Sequence, residues 1–315
     1  MDTQSETSAS TGAAERGAGQ TPRRSVSPVI VGCLAATWLI WGSTYLVIRF
    51  ALAGFAPFFL MATRFLCAGT LLMTWQLARG ARLPTPREWL NALIVGTLMI
   101  GGGMGCTAYS EMTIASGLVV AFIAVIPLIL VVINLAFGVR PPRSELLAVC
   151  VGLAGVLMLT QGSGIRASPW GLAAIMIGCA GWALGSVLSQ RGLALAPGAT
   201  GFASEMLCGG AALFVISALR GESWHWPSEA GPLFSWLYLV SFGTLIAFSA
   251  YMILLARTTA SVAASYTLVN PVVALLLGVT LGGETVTAWE WIAVGVVLMG
   301  VVLLFVNRWP GRGDR

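Results

Sequence analysis

Residues 116–137 read SGLVVAFIAVIPLILVVINLAF, twenty-two positions without a charge. A run of that length and character matches the roughly 20 apolar residues that cross the ~30 Å hydrocarbon layer of a bilayer as a helix. Working outward from it, similar runs recur near 29–51, 57–78, 90–110, 116–137, 144–161, 168–190, 200–219, 232–255, 260–281 and 289–307. The reading is an all-α integral membrane protein with ten transmembrane helices. Composition agrees: of 315 residues, 57% are hydrophobic and 9% charged, and the mean hydropathy is +0.87. A soluble domain carries about 25% charged residues, and this chain has too few to cover a water-facing surface.

The charges that remain exclude several chemistries. All 17 basic residues are Arg. Without Lys there is no P-loop phosphate site, no Schiff base and no Lys base. Asp occurs only at Asp2 and Asp314, and the single His, His225, falls in a polar loop. An aspartyl phosphate or a buried Asp relay has no residue to use. The six Cys lie inside apolar runs without a CxxC pair or metal-like cluster, so they read as small core residues, and no disulfide, metal or cofactor is implied.

Sidedness explains the basic residues. With the N-terminus inside, 13 Arg fall in inner segments, while Arg49, Arg166 and Arg220 fall outside and Arg64 lies within a span. Arg gathers on the cytoplasmic side, so both termini are expected there. This accounts for the net charge of +5 without nucleic-acid binding. Residues 1–28, rich in Ser, Thr, Gly, Ala and Gln, read as a disordered cytoplasmic tail, and 308–315 as a short cytoplasmic tail. The stretch from Arg49 to Phe58 offers no polar, small-residue cleavage region, so the first run reads as a retained helix.

The two halves, 29–161 and 168–307, resemble each other. Trp41 and Trp182 correspond, as do Arg64-Phe65-Leu66-Cys67 and Glu205-Met206-Leu207-Cys208. Gly96-Thr97-Leu98 matches Gly243-Thr244-Leu245, Ala115-Ser116 matches Ala260-Ser261, and Pro127 aligns within one residue of Pro271. Glu145 matches Glu290, and Gly155-Val156 matches Gly300-Val301. Five spans per copy is an odd number, so the second copy enters the membrane upside down. Two inverted five-helix repeats related by a pseudo-two-fold axis in the membrane plane are a plan of secondary transporters, with substrate held near the midplane.

Two stretches carry a family resemblance. Residues 41–69, WGSTYLVIRFALAGFAPFFLMATRFLCAG, combine Trp-Gly-Ser near the end of the first helix, a Pro opening the second and an Arg-Phe pair. Residues 265–285, SYTLVNPVVALLLGVTLGGET, lead to Trp-Glu-Trp at 289–291. On these the chain resembles the EamA family of the drug/metabolite transporter superfamily over roughly 29–307. The resemblance implies the ten-helix plan and efflux of small metabolites, with amino acids, drugs and sugars among family substrates. No pattern singles out the amino-acid exporters.

Candidate site residues follow from depth and chemistry. Arg64 and Glu205 are the ionisable residues read as lying well inside spans, at equivalent repeat positions and so at opposite depths. A charge there usually faces a bundle interior or wet cavity. Arg64 suits an anionic group; Glu205 suits an ammonium or a proton; each is expected at one mouth of the pathway. Pro127 and Pro271 free the carbonyls of Ile123 and Thr267 and are read as hinges. Trp41, Ser43, Thr44 and Tyr45 fall near mid-depth, with Trp182 and Ser186 at matching places. Tyr109 and Tyr251 are expected to approach the same space, and Tyr266, Thr267 and Asn270 surround Pro271. Aromatic faces with a few hydrogen-bonding tips suit an amphipathic organic solute or a cation over a ring. Trp224, Trp226, Trp289, Trp291 and Trp309 read as interfacial anchors, and Glu145 and Glu290 as helix-start residues.

The expected function is that of a multi-pass inner-membrane secondary transporter exporting small organic metabolites, amino acids or amphipathic drug-like solutes, by alternating access. Its partners would be the solute, the lipid bilayer and, for coupling, protons; it is not expected to be an enzyme. Import or facilitated passage is the first alternative; a membrane-embedded enzyme and a sensor or scaffold are others. Both halves of the site lie in one chain, so a monomer suffices, while the small residues Ala148 and Gly152 leave a dimer open.

Overall fold

The computed structural model describes residues 27–136, 138, 142–159, 161, 162, 168–258 and 265–307. Of the expected tails 1–28 and 308–315, residues 1–26 and 308–315 with Trp309 lie outside the described residues, as does the side chain of Glu145, while Ser27 precedes and Pro28 begins α1. All regular structure among the described residues is helical: α1 (Pro28–Ala51), α2 (Pro57–Ala78), α3 (Pro86–Gly96), the wide turn π1 (Thr97–Met104) and α4 (Gly105–Glu111). Then come α5 (Ser116–Ile123), α6 (Ile126–Ala136), α7 (Arg143–Leu159), α8 (Pro169–Arg191) and α9 (Ala199–Leu219). The chain continues with α10 (Ala230–Val240), a second wide turn π2 (Ser241–Ile246), α11 (Ala247–Arg257), α12 (Tyr266–Thr280) and α13 (Ala288–Asn307).

Among the described residues, 7 helices are by length and composition long and apolar enough to cross a membrane: Pro28–Ala51, Pro57–Ala78, Pro86–Glu111, Ser116–Ile133, Pro169–Arg191, Ala199–Leu219 and Ala230–Leu254. Shorter apolar helices, Leu146–Met158, Val269–Thr280 and Ala288–Leu303, lie where the other expected runs fall. Local signals mark the starts. Helices α1, α2, α3 and α8 open on Pro, whose missing N–H is one the first turn would leave unpaired anyway. Thr85 and Glu88 form a reciprocal cap on α3.

One run departs from a straight span. Within the quoted stretch, residues 116–136 form α5 and α6 with a break at Ala124 and Val125. Pro127 follows immediately, and its ring cannot donate to the Ile123 carbonyl, so the ladder is interrupted there. Pro271 remains inside α12.

The two halves interleave. The most extensive packing is between them: α7 on α13, α2 on α9, α1 on α12, α8 on π1 and α3 on α9. Two of these contacts are reciprocal. A Cβ on Gly69 would lie 3.1 Å from Cγ of Leu207, and one on Gly210 would lie 2.9 Å from Cγ of Leu66. A Cβ on Gly155 would lie 2.5 Å from the amide nitrogen of Val297, and one on Gly300 would lie 2.5 Å from that of Gly152. In each pair one residue number rises as its partner falls, so the helices cross antiparallel. The sequence correspondence pairs Gly69 with Gly210, Leu66 with Leu207, and Gly155 with Gly300.

Backbone cannot yield as a flexible side chain can. Gly300→Leu and Gly155→Val are expected to cost about 1–3 kcal/mol each through overpacking at the α7–α13 crossing. Gly295, where an added Cβ would meet nothing within 4 Å, serves as the control. Thermal unfolding of the purified variants should drop for the first two and hold for Gly295→Ala.

Candidate functional site

The site begins with backbone groups that the wide turns set free. Both turns fall where Gly96-Thr97-Leu98 and Gly243-Thr244-Leu245 match, so each half carries one. An i→i+5 turn misaligns neighbouring carbonyls, and such turns are frequent at functional sites. At π2 the free groups are taken up by side chains from the first half. The Gly243 carbonyl accepts from the Trp41 indole at 3.2 Å and from Arg64 Nη2 at 3.4 Å. Arg64 Nε donates to Thr244 Oγ1 at 2.9 Å, and Thr244 Oγ1 donates to the Leu239 carbonyl at 2.8 Å. Arg64 is 2% exposed, and its guanidinium also lies over the Phe65 ring. Its Nη1 reaches only the Met61 thioether, at 3.8 Å, among the described residues.

These groups border a cavity of about 750 Å³. Trp41, Thr44 and Tyr45 of α1 and Arg64 of α2 form one wall. Trp182 and Ser186 of α8 and Glu205 of α9 form another. Tyr251, Tyr266, Thr267 and Asn270 close a third side, and Pro127 enters at the α5–α6 break. The aromatic groups cluster: Trp41 meets Tyr266 edge-on at 4.7 Å and Tyr251 at 5.4 Å, while Tyr251 and Tyr266 lie 5.7 Å apart, nearly perpendicular. The Asn270 amide, turned to satisfy its surroundings, donates to the Trp38 and Tyr266 carbonyls at 3.2 Å each. Glu205 is placed by a close crossing, since a Cβ on Gly96 would lie 2.5 Å from the Glu205 carbonyl oxygen. Arg64 and Glu205, expected at separate mouths, thus line one cavity.

At one end of the bundle the cavity is bordered by Gln190, Leu195 and Gly198. At the other end, carboxylates of the second half tie helix starts of the first. Glu284, following α12, sits on the N-terminus of α5: its Oε1 accepts from the Ser116 amide at 2.8 Å and the Ser116 hydroxyl at 2.7 Å, and its Oε2 from the Gly117 amide at 3.3 Å. Arg49, at the end of α1, completes this clasp at 2.6 Å. Glu222 does the same for α2, accepting from the Phe58 and Phe59 amides at 3.2 and 2.9 Å. Helix N-termini present unpaired N–H groups and partial positive charge, and a carboxylate satisfies both.

Two sequence expectations need correction. Tyr109 does not line the cavity: its ring stacks on Phe58 at 5.9 Å and lies beneath the Arg220 guanidinium. Pro271 sits inside α12, the mid-helix place the sequence gives it, with Thr267 and Asn270 beside it on the cavity lining. Arg64 and Glu205 are not the only buried ionisable residues, for Glu111 and Glu284 are 3% and 6% exposed. Glu111 falls just past an apolar run, at a position that reads as loop. Residues 112–115 separate α4 from α5, and Met112 beside it is exposed, so the sequence carries no signal that Glu111 turns inward.

A crystal structure 23% identical in sequence matches this chain with a TM-score of 0.60, covering 90% of this chain and 99% of that one, a likeness of fold. The uncharacterized inner membrane transporter YedA of Escherichia coli (strain K12) is 39% identical over 282 residues, 89% of this chain and 92% of its own length. An uncharacterized transporter of Synechocystis is 27% identical over 308 residues, and protein PecM of Dickeya dadantii is 26% identical over 273, covering 86% and 84% of this chain and 88% and 86% of theirs. The EamA-like transporter family model matches residues 27–161 and 169–306, each half separately, and the chain belongs to that family.

Proposed function

We propose that this transporter exports small organic metabolites bearing both a carboxylate and an ammonium group, amino acids or amphipathic relatives, by alternating access in the inner membrane. The observation that carries the reading is the single cavity bordered by Arg64, Glu205 and the Trp41–Tyr251–Tyr266 cluster. Arg64 Nη1, held without an acidic partner among the described residues, offers a charge-assisted bond to a carboxylate. Glu205 faces an ammonium, and the rings take an apolar body or the cation itself. Inner-membrane placement draws support from the E. coli relative.

The ten-helix inverted plan belongs to the same reading. Reciprocal contacts between corresponding residues are what a two-fold relation produces. Antiparallel crossing of α2 with α9 and of α7 with α13 puts that axis across the helices, as inverted repeats require. The Arg distribution then sets both termini in the cytoplasm, makes the Arg49 end the outer one and opens the cavity toward the cytoplasm. A solute would enter from the cytoplasm, and rocking of the halves would exchange the open and bound ends. Proton exchange is the driving force this reading favours.

An untargeted comparison of small molecules in cells and medium, with and without overproduction, tests it. The expected result is a zwitterionic solute depleted inside and enriched outside. Arg64→Gln and Glu205→Gln should each weaken the shift about tenfold or more, since a hydrogen bond to a charged group contributes ~1.5–3 kcal/mol. Accumulation inside would reverse the direction, and a shift indifferent to both substitutions would overturn the site.

A further inference from the structure

Glu111 has no role in the cavity just described. It ends α4, is 3% exposed, and neither carboxyl oxygen has a hydrogen-bond partner among the described residues. A buried carboxylate left unpaired is among the costliest groups a protein interior can hold. Its position adds to the cost, because the C-terminus of a helix carries partial negative charge. Binding a proton at one carboxyl oxygen removes the charge, and no other ligand needs so little room.

The surroundings are specific. Helix α4 packs against α1, α2, α5 and α8. The groups that act on Glu111 electrostatically are the Tyr45 phenol and Arg49 of α1, the Arg64 guanidinium of α2 and the Glu284 carboxylate of the segment after α12. Helix α5 has no charged residue, and α8 has Arg191 alone, at its far end. Glu111 therefore feels the charges of both a cavity cation, Arg64, and the Arg49–Glu284 clasp. The link to the clasp is covalent as well. Residues 112–115 join Glu111 to Ser116, whose amide and hydroxyl Glu284 holds. Releasing Ser116 would free the four-residue segment that ties it to Glu111.

We propose that Glu111 is a proton-binding site of the transport cycle, sealed in this conformation beneath the Arg49–Glu284 clasp and exchanging its proton with water at the Arg49 end when the clasp opens. The site is separate from Glu205, which faces the solute. The inference rests on the transport reading only for what the bound proton drives; its occupancy and access can be measured without any solute.

The test is infrared difference spectroscopy on the purified full-length protein in lipid nanodiscs at neutral pH, transferred from H₂O to D₂O. The carbonyl-stretch band of a protonated carboxylic acid should be present in the natural protein and in Glu205→Gln. Made in the Glu205→Gln background, so that Glu205 adds no band of its own, Glu111→Gln should lose it and Glu111→Asp should restore it, with size exclusion and helicity confirming that each variant folds. Its shift on deuterium exchange should be slow in the natural protein and at least tenfold faster in Glu284→Gln and Arg49→Ala. A band that survives Glu111→Gln would overturn the site. Exchange at one rate in all three would overturn its gating by the clasp. Neither result depends on whether a zwitterionic solute is found, so the two readings fail independently.

Discussion

In a bundle this apolar, a backbone group freed by a helix end or a wide turn must find its partner inside the protein, because lipid offers none. That constraint explains where the charges are. Arg64 is buried because π2 frees the Gly243 carbonyl and aligns the Thr244 hydroxyl with it. Glu284 is buried because α5 begins with unpaired N–H groups. Each ionised group satisfies backbone that would otherwise be orphaned, and each comes from the opposite half of the chain. The same requirement fixes Trp41, whose indole shares the Gly243 carbonyl with Arg64 and so orients the ring that meets Tyr251 and Tyr266.

The interleaving of the halves follows from this exchange of partners. The freed groups at π2, α2 and α5 are each taken up from the other half, and the glycine crossings of α2 with α9 and of α7 with α13 bring the two halves' backbones close together. The consequence is an asymmetric bundle. One end is bound by carboxylates seated on helix N-termini, while the cavity reaches toward Gln190 and Gly198 at the other. Glu111 is the exception to the constraint among the described residues, a buried polar group left without a partner, and an exception of that kind points to a ligand that comes and goes.

Much of this is legible in the sequence. Long uncharged runs mark the helices, and the spacing of Trp41, Arg64, Trp182, Glu205 and Tyr251 singles out residues that the structure brings to one cavity. Matching Gly-Thr-Leu triplets mark the two wide turns without revealing what they are, because hydropathy is blind to hydrogen-bond register. Tyr109 misleads because a mid-depth aromatic looks the same whether it faces a cavity or, as here, packs on Phe58. Glu284 and Glu111 escape a reading of the sequence because both lie at the ends of apolar runs, where a side chain folded back beneath a loop looks the same as one in water.

The central claim is that the cavity is reached from the Gln190 end and shut from the Arg49 end by the seat of Glu284 on α5. The direct measurement places a single cysteine at Ser186, in a chain whose six native Cys are replaced, and applies a membrane-impermeant thiol reagent to oriented vesicles from either face. With Glu284 intact, labelling should occur from the cytoplasmic face and be slow from the other; Glu284→Gln should open the second route. Rapid labelling from the outer face with Glu284 in place, or no change when it is replaced, would contradict the account.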